Sequence, residues 1–339
     1  MSRGSARTRM LVALCAVALA LVTAACGAGS PPAASGGSGN TDVATAGRLF
    51  ATADAETAKL GADVGPGVFP RTITHARGTT RLETKPTRVV VIDTGELDEV
   101  LSLGVTPVGI ASPNGRVPSY LAPRVQGVAD IGSLDGIRLE AIAALKPDLI
   151  LGSRLRVDQL YDQLSAIAPT VLSIRPGFPW KENLLLAGAA LGEETRAPGL
   201  LNDYQRRADE LRAGLGSTPT ISLLRFMPER IRLYGNLSFI GVILKDVGLP
   251  RPANQDIDEL ATEISQERIG EADADWIFYS SYGPREGTAE AAVVGNELWS
   301  RLGAVQRGTA RPVDDEVWFL GLGPTGASLV LDDLREFLG

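Results

Sequence analysis

The chain has 339 residues, 44% hydrophobic and 22% charged, an ordinary globular composition that excludes a disordered, collagen-like or disulfide-framework protein. With 33 Lys and Arg against 40 Asp and Glu, the net charge of -7 points away from a nucleic-acid backbone as the main partner. One histidine, His75, and two cysteines, Cys15 and Cys26, exclude multi-histidine metal centres, zinc ribbons and iron–sulfur clusters built within this chain.

Arg3, Arg7 and Arg9 precede an apolar run over 10–22, shorter than the ~20 residues of a spanning helix, which is the pattern of an export signal. The run closes on Thr23, Ala24, Ala25 and Cys26, which resembles the lipobox of bacterial lipoproteins, with Thr23 where such boxes carry an aliphatic residue. The resemblance implies a signal peptide over 1–25 and lipid on Cys26. Residues 27–40 are small or polar and read as a flexible tether, so 26–68 are expected to lie between anchor and domain. A weak helical pattern over 48–60 carries no functional signal.

Residues 72–75 and 79–82 alternate around Arg77 and Gly78, predicting a short hairpin that makes His75 a structural residue. From 89 onward strands alternate with helices, the pattern of parallel sheets with crossover helices. The run 89–92 is an apolar strand, followed by a helix with Thr94 as cap and Glu96 and Asp98 in its first turn, ended by Gly104. Strands over 108–110, 149–151 and 171–174 and helices over 157–167 and 180–191 complete an N-terminal lobe, 69–191. Residues 192–216 predict one linker helix, because Leu200, Leu201, Tyr204, Ala208, Leu211 and Leu215 form an apolar stripe on a polar segment. A C-terminal lobe, 217–339, opens with a strand at 221–226 pairing with 231–234, and continues through a helix at 239–247, a strand at 276–279 and a closing helix at 324–337.

Segments 139–150 and 266–277 match each other. In each, a glutamate (Glu140, Glu267) precedes an aspartate (Asp148, Asp275) by eight residues, ahead of a buried strand. This predicts two pseudo-symmetric α/β lobes. On the residues alone, each glutamate reads as first-turn dipole stabilisation, with Ser265 as the second helix's cap.

These segments, with Phe69 to His75, Lys85 to Val90, Arg225-Phe226, Arg232 to Gly235, Ser238 to Gly241, Gly248 to Pro252 and Leu298 to Leu302, resemble a known family. It is the helix-linked, bilobal substrate-binding proteins of iron-siderophore, haem and cobalamin ABC importers, matched over about 69–339. The resemblance implies an α/β fold of two lobes with a ligand cleft between them. It also implies a lipid-anchored binding role without turnover: a ferric siderophore is bound at the outer face of the cytoplasmic membrane by a monomer and delivered to a permease, onto which Glu140 and Glu267 dock. A chelated iron is already saturated by hard oxygens, so no protein metal ligands or other cofactors are expected. Cations and aromatics are, which makes Arg225, Tyr282 and Trp318 the first candidates, followed by Arg116, Tyr120, Arg154, Trp180, Tyr234 and Trp299. Asn114, Arg156, Phe178 and Arg232 lie on the same strand-end loops. Haem or cobalamin binding and a non-transport envelope role stay open as alternatives. An enzyme is disfavoured, because G-x-S-x-G, H-E-x-x-H and Walker patterns are missing.

Overall fold

The computed structural model describes residues 53–112 and 116–339; the export signal, residues 26–52 and Asn114 lie outside the described residues. Residues 53–68, expected to continue the flexible tether over 26–68, are instead part of the folded domain, with a helix at Ala53–Thr57 and a strand at Gly61–Ala62 that pairs with Arg71–His75. A three-stranded antiparallel sheet, β1 (Gly61–Ala62), β2 (Arg71–His75) and β3 (Gly78–Leu82), leads the described chain. His75 is buried here, its Nε2 3.0 Å from Thr80 Oγ1 and 3.3 Å from the Tyr161 hydroxyl. It is structural, as its hairpin setting predicts.

The N-terminal lobe is a six-stranded sheet in the order β7-β6-β5-β4-β8-β9, formed by β4 (Val89–Ile92), β5 (Gly109–Ser112), β6 (Ala129–Ser133), β7 (Gly136–Ile137), β8 (Leu149–Ser153) and β9 (Thr170–Ser173). All its pairings are parallel except β6 with β7. Covered on both faces, β4 and β8 are buried at every position, which is why they read as continuous apolar runs. The helix Trp180–Leu191 ends at Gly192, whose φ of 69° a side chain tolerates poorly and whose absent Cβ leaves room for the Phe69 ring.

The linker helix, Arg196–Gly214, is about 28 Å long at 1.5 Å per residue and buries Ala197, Tyr204, Ala208 and Leu211 along one stripe. It leads into a five-stranded sheet in the order β12-β11-β10-β13-β14, with β10 (Ile221–Met227), β11 (Arg230–Tyr234), β12 (Ala261–Ile264), β13 (Trp276–Ser281) and β14 (Ala310–Pro312). β10 pairs antiparallel with β11, as the sequence predicts, and parallel with β13.

Three local expectations are corrected. Thr94 is not the cap of the helix Thr94–Ser102. Asp93 is, accepting the Thr94 N–H at 2.7 Å, and its φ of 93° is a strained value for a non-glycine residue. The segment predicted as one helix over 157–167 is continuous only over Tyr161–Ile167; ahead of it lie two single turns, Arg154–Val157 and Asp158–Leu160. The Ser265 side chain accepts no N–H at the start of Gln266–Ala272; the Ser265 hydroxyl and the Glu267 backbone N–H instead hold the Glu267 carboxyl below the usual carboxylate range.

Asp98 also departs from the dipole role expected of it. Fully buried, it accepts the Thr325 and Gly326 N–H groups at 3.1 and 3.0 Å, so a carboxylate of one lobe caps the closing helix, Pro324–Leu338, of the other. Nearby, the Tyr120 hydroxyl donates to the Gly321 carbonyl at 2.9 Å, and the Ser119 N–H donates to Glu316 at 2.6 Å. The lobes are therefore tied directly as well as through the linker helix.

Candidate functional site

A cavity of about 440 Å³ opens where the strand ends of both lobes converge, the place ligands take in open α/β sheets. Four arginines line it: Arg156 and Arg175 beyond β8 and β9, Arg225 on β10 and Arg232 on β11. Tyr234, Phe239, Trp318 and Phe319 supply aromatic wall, and Leu155, Ile240, Leu260 and Leu322 aliphatic wall.

On the N-terminal side, Arg156 Nε donates to Asp93 Oδ2 at 2.6 Å. Burial works against its charge, and the adjacent Asp93 carboxylate outweighs that and raises its pKa. Arg175 is buried, stacks near Phe178 at 5.5 Å and is pulled down to about 10, first by burial and then by Arg156. Two guanidiniums thus face one cavity at close quarters, a field that favours an oxygen-rich anion.

On the C-terminal side the register sets Arg232, Arg225 and Ser280 side by side across three adjacent strands. Arg225 Nε donates to Asp315 Oδ1 at 2.7 Å and Nη2 to Oδ2 at 2.5 Å, while Nη1 reaches the Tyr234 hydroxyl at 3.3 Å. Its guanidinium carbon lies 4.7 Å from the Tyr282 ring centre and 5.3 Å from that of Phe319. Arg232 Nε donates to Glu263 at 3.0 Å. A second cavity of about 260 Å³ adjoins, lined by Thr94, Arg116, Pro118, Tyr282, Asp315 and Glu316 among others, and it shares Leu320 with the first.

Of the candidates from sequence, Arg225, Tyr234 and Trp318 line the larger cavity, and Arg116 and Tyr282 the smaller. Trp318 forms a fully buried back wall, its Nε1 donating to Asp333 at 2.7 Å. Four candidates are placed elsewhere. Trp180 is fully buried between Tyr204 and Phe239, with ring centres at 4.9 and 6.1 Å, plugging one lobe into the core of the other. Trp299 is buried against Phe226 and Tyr279. Tyr120 is the interlobe strut described above, and Arg154 is exposed and paired with Asp158 at 3.2 Å. Sequence reasoning missed Arg175, Phe319 and Asp315. Arg175 follows β9 directly, so the strand-end rule that singled out Phe178 reaches it too; Asp315 and Phe319 carry no local signal, because long-range packing brings them to the cleft.

Glu140 and Glu267 are both exposed, in the first turns of Leu139–Ala144 and Gln266–Ala272. No helix among the described residues is long and apolar enough to cross a membrane.

Residues 89–315 match the family model described as periplasmic binding protein. The chain is 35% identical to the probable siderophore-binding lipoprotein YfiY of Bacillus subtilis over 79% of this chain and 87% of that one. It is 30% identical to the achromobactin-binding periplasmic protein of Dickeya dadantii over 75% and 87%. Among solved structures it resembles Staphylococcus aureus SirA complexed with staphyloferrin B, with a TM-score of 0.71 and 30% identity, covering 79% of this chain and 98% of SirA.

Proposed function

Because the chain belongs to the periplasmic binding protein family, we propose that it captures a ferric siderophore outside the cytoplasm and delivers it to the permease of an ABC importer. The observation that carries this reading is the cavity of about 440 Å³ onto which arginines of both lobes open. Its relatives are named for siderophore binding, and one solved neighbour holds staphyloferrin B. The iron is cargo, wrapped by the chelator's own oxygens, so the work left to the protein is to recognise the outside of the complex. Guanidiniums suit that work, because their planar forks match carboxylate and other paired oxygens at low entropic cost. Capture makes and breaks no covalent bond.

The N-terminal sequence completes the proposal. The signal over 1–25 directs export, and acylation of Cys26 holds the domain at the membrane through its tether, a single acyl chain being marginal and the additional chains of such lipoproteins making it stable. Exposed on separate lobes, Glu140 and Glu267 offer two anionic points to a permease, a spacing that sets orientation more than affinity.

The test is a calorimetric titration of the domain with ferric carboxylate, hydroxamate and catecholate complexes, haem and cobalamin. An anionic ferric chelate binds at sub-micromolar concentration, and its iron-free form binds more weakly. Indifference to every ferric chelate, or preference for haem or cobalamin, overturns the reading.

A further inference from the structure

Three cavity arginines already hold a carboxylate: Arg156 with Asp93, Arg232 with Glu263, and Arg225 with Asp315. Among these three acids Asp315 is the one that lines either of the two cavities described, the smaller one. It takes two nitrogens of one guanidinium, the arrangement a ligand carboxylate seeks. Its Oδ1 additionally accepts the Ser280 hydroxyl at 2.6 Å. With Nη1 on Tyr234 and the ring faces of Tyr282 and Phe319 close by, every nitrogen of Arg225 has a protein partner, and of these partners only Asp315 bears an anion's charge.

Asp315 also begins the segment that separates the two cavities. Trp318, Phe319, Leu320 and Leu322 face the larger one, while Asp315, Glu316 and Leu320 face the smaller. The segment ends in a constrained turn, with Leu322 at a φ of 52°. The bond between Arg225 and Asp315 therefore fastens the partition to the sheet.

We propose that Asp315 is an internal stand-in for the ligand's anion and sets charge selectivity: an anionic chelate competes with it for the paired nitrogens of Arg225, and the two cavities are compartments of one ligand site. The proposal rests on the function proposed above and deepens it. A carboxylate-bearing complex gains the fork and offsets the displaced Asp315, whereas a neutral complex gains nothing from Arg225 and leaves the partition closed. Asp315 next to an incoming anion is a like charge at short range, and it limits affinity for the very ligands that Arg225 attracts.

The experiment compares wild type, Asp315→Asn and Ser280→Ala in titrations with ferric citrate, as anionic probe, and a neutral ferric trihydroxamate, with urea unfolding to confirm folding. Asp315→Asn keeps an acceptor oxygen for Arg225 and Ser280 but removes the competing charge, so the affinity for ferric citrate relative to that for the neutral complex rises about tenfold. Ser280→Ala loosens Asp315 without altering charge and moves the ratio the same way, by about two- to threefold, which decides the matter if the first variant does not fold. If both variants weaken both probes alike, Asp315 only positions Arg225, and the proposal falls while the proposed function stands. A wild type that binds neither probe nor any other ferric chelate overturns both.

Discussion

Asp148 and Asp275 hold equivalent posts in the two lobes. Asp148 Oδ2 accepts the backbone N–H and the hydroxyl of Thr87 at 2.8 and 2.9 Å, just ahead of β4; Asp275 Oδ2 accepts the same two groups of Thr220, both at 2.8 Å, just ahead of β10. Each aspartate opens the strand that pairs parallel with the one its threonine precedes. The repeat seen in sequence is thus a repeat of hydrogen bonding. Removing either clamp leaves a backbone N–H without its charged acceptor, so Asp148→Ala and Asp275→Ala each lower unfolding stability by about 1–3 kcal/mol. Urea denaturation measures this, and a loss confined to one of the two variants contradicts their equivalence.

The glutamates eight residues upstream take part in no comparable clamp. Both are exposed, and the Glu267 carboxyl is lowered chiefly by its own turn, through the Ser265 hydroxyl and the Glu267 backbone. Exposed carboxylates at matched positions on two lobes suit a docking role. The double variant Glu140→Ala with Glu267→Ala is therefore expected to unfold at the wild-type denaturant concentration and bind chelate with wild-type affinity, yet to stop iron uptake in cells that depend on this protein. Undiminished uptake removes the docking role.

The alternation of apolar strands and amphipathic helices carried the architecture, because covering a parallel sheet on both faces leaves an unbroken apolar run such as 89–92, and a linker helix leaves a stripe such as Tyr204, Ala208 and Leu211. Strand-end arginines such as Arg225 were legible for a similar reason, since the ends of parallel strands converge on the cleft. Trp180 and Trp299 were not. A large aromatic just after a strand or on a short helix reads identically whether it faces a ligand or a neighbouring core, and only packing between distant segments decides. Asp315 was silent too, since its partner Arg225 lies 90 residues earlier.

That ambiguity has a direct experimental form at Trp299 and Trp180. Trp299 packs on Phe226 and Tyr279 inside the C-terminal lobe, so Trp299→Ala costs about 3–5 kcal/mol of stability. Trp299→Phe, which retains part of that contact, leaves the chelate dissociation constant unchanged. Trp180→Phe separates stability from binding in the same way, because the ring lies between Tyr204 and Phe239. A selective loss of affinity in either phenylalanine variant, with stability intact, would place that ring at the ligand after all.

The dependence of stability on pH has two limbs with separate owners. His75, buried and close to Arg77, has its pKa lowered from 6.5 to about 4. The unfolded chain takes up a proton there that the folded chain refuses, so stability falls as pH drops from about 6.5 to 4. Glu96 behaves oppositely. Burial, then the neighbouring Asp93, raises its pKa from 4.5 to about 8, and the folded chain keeps a proton that the unfolded chain releases. Stability from this group is full below about 4.5 and is lost as pH rises through 8. Between 4.5 and 6.5 the two effects oppose; above 6.5 the carboxyl acts without the histidine, helped by Glu99, also raised by burial and by Glu96. Glu96→Gln mimics the protonated form at every pH. It is expected to flatten the alkaline limb and, at about 1.4 kcal/mol per pKa unit, to raise stability at pH 8 by roughly 2–4 kcal/mol relative to wild type. Thermal unfolding from pH 4 to 9 measures both limbs, and an alkaline slope that survives unchanged in Glu96→Gln assigns it to another group.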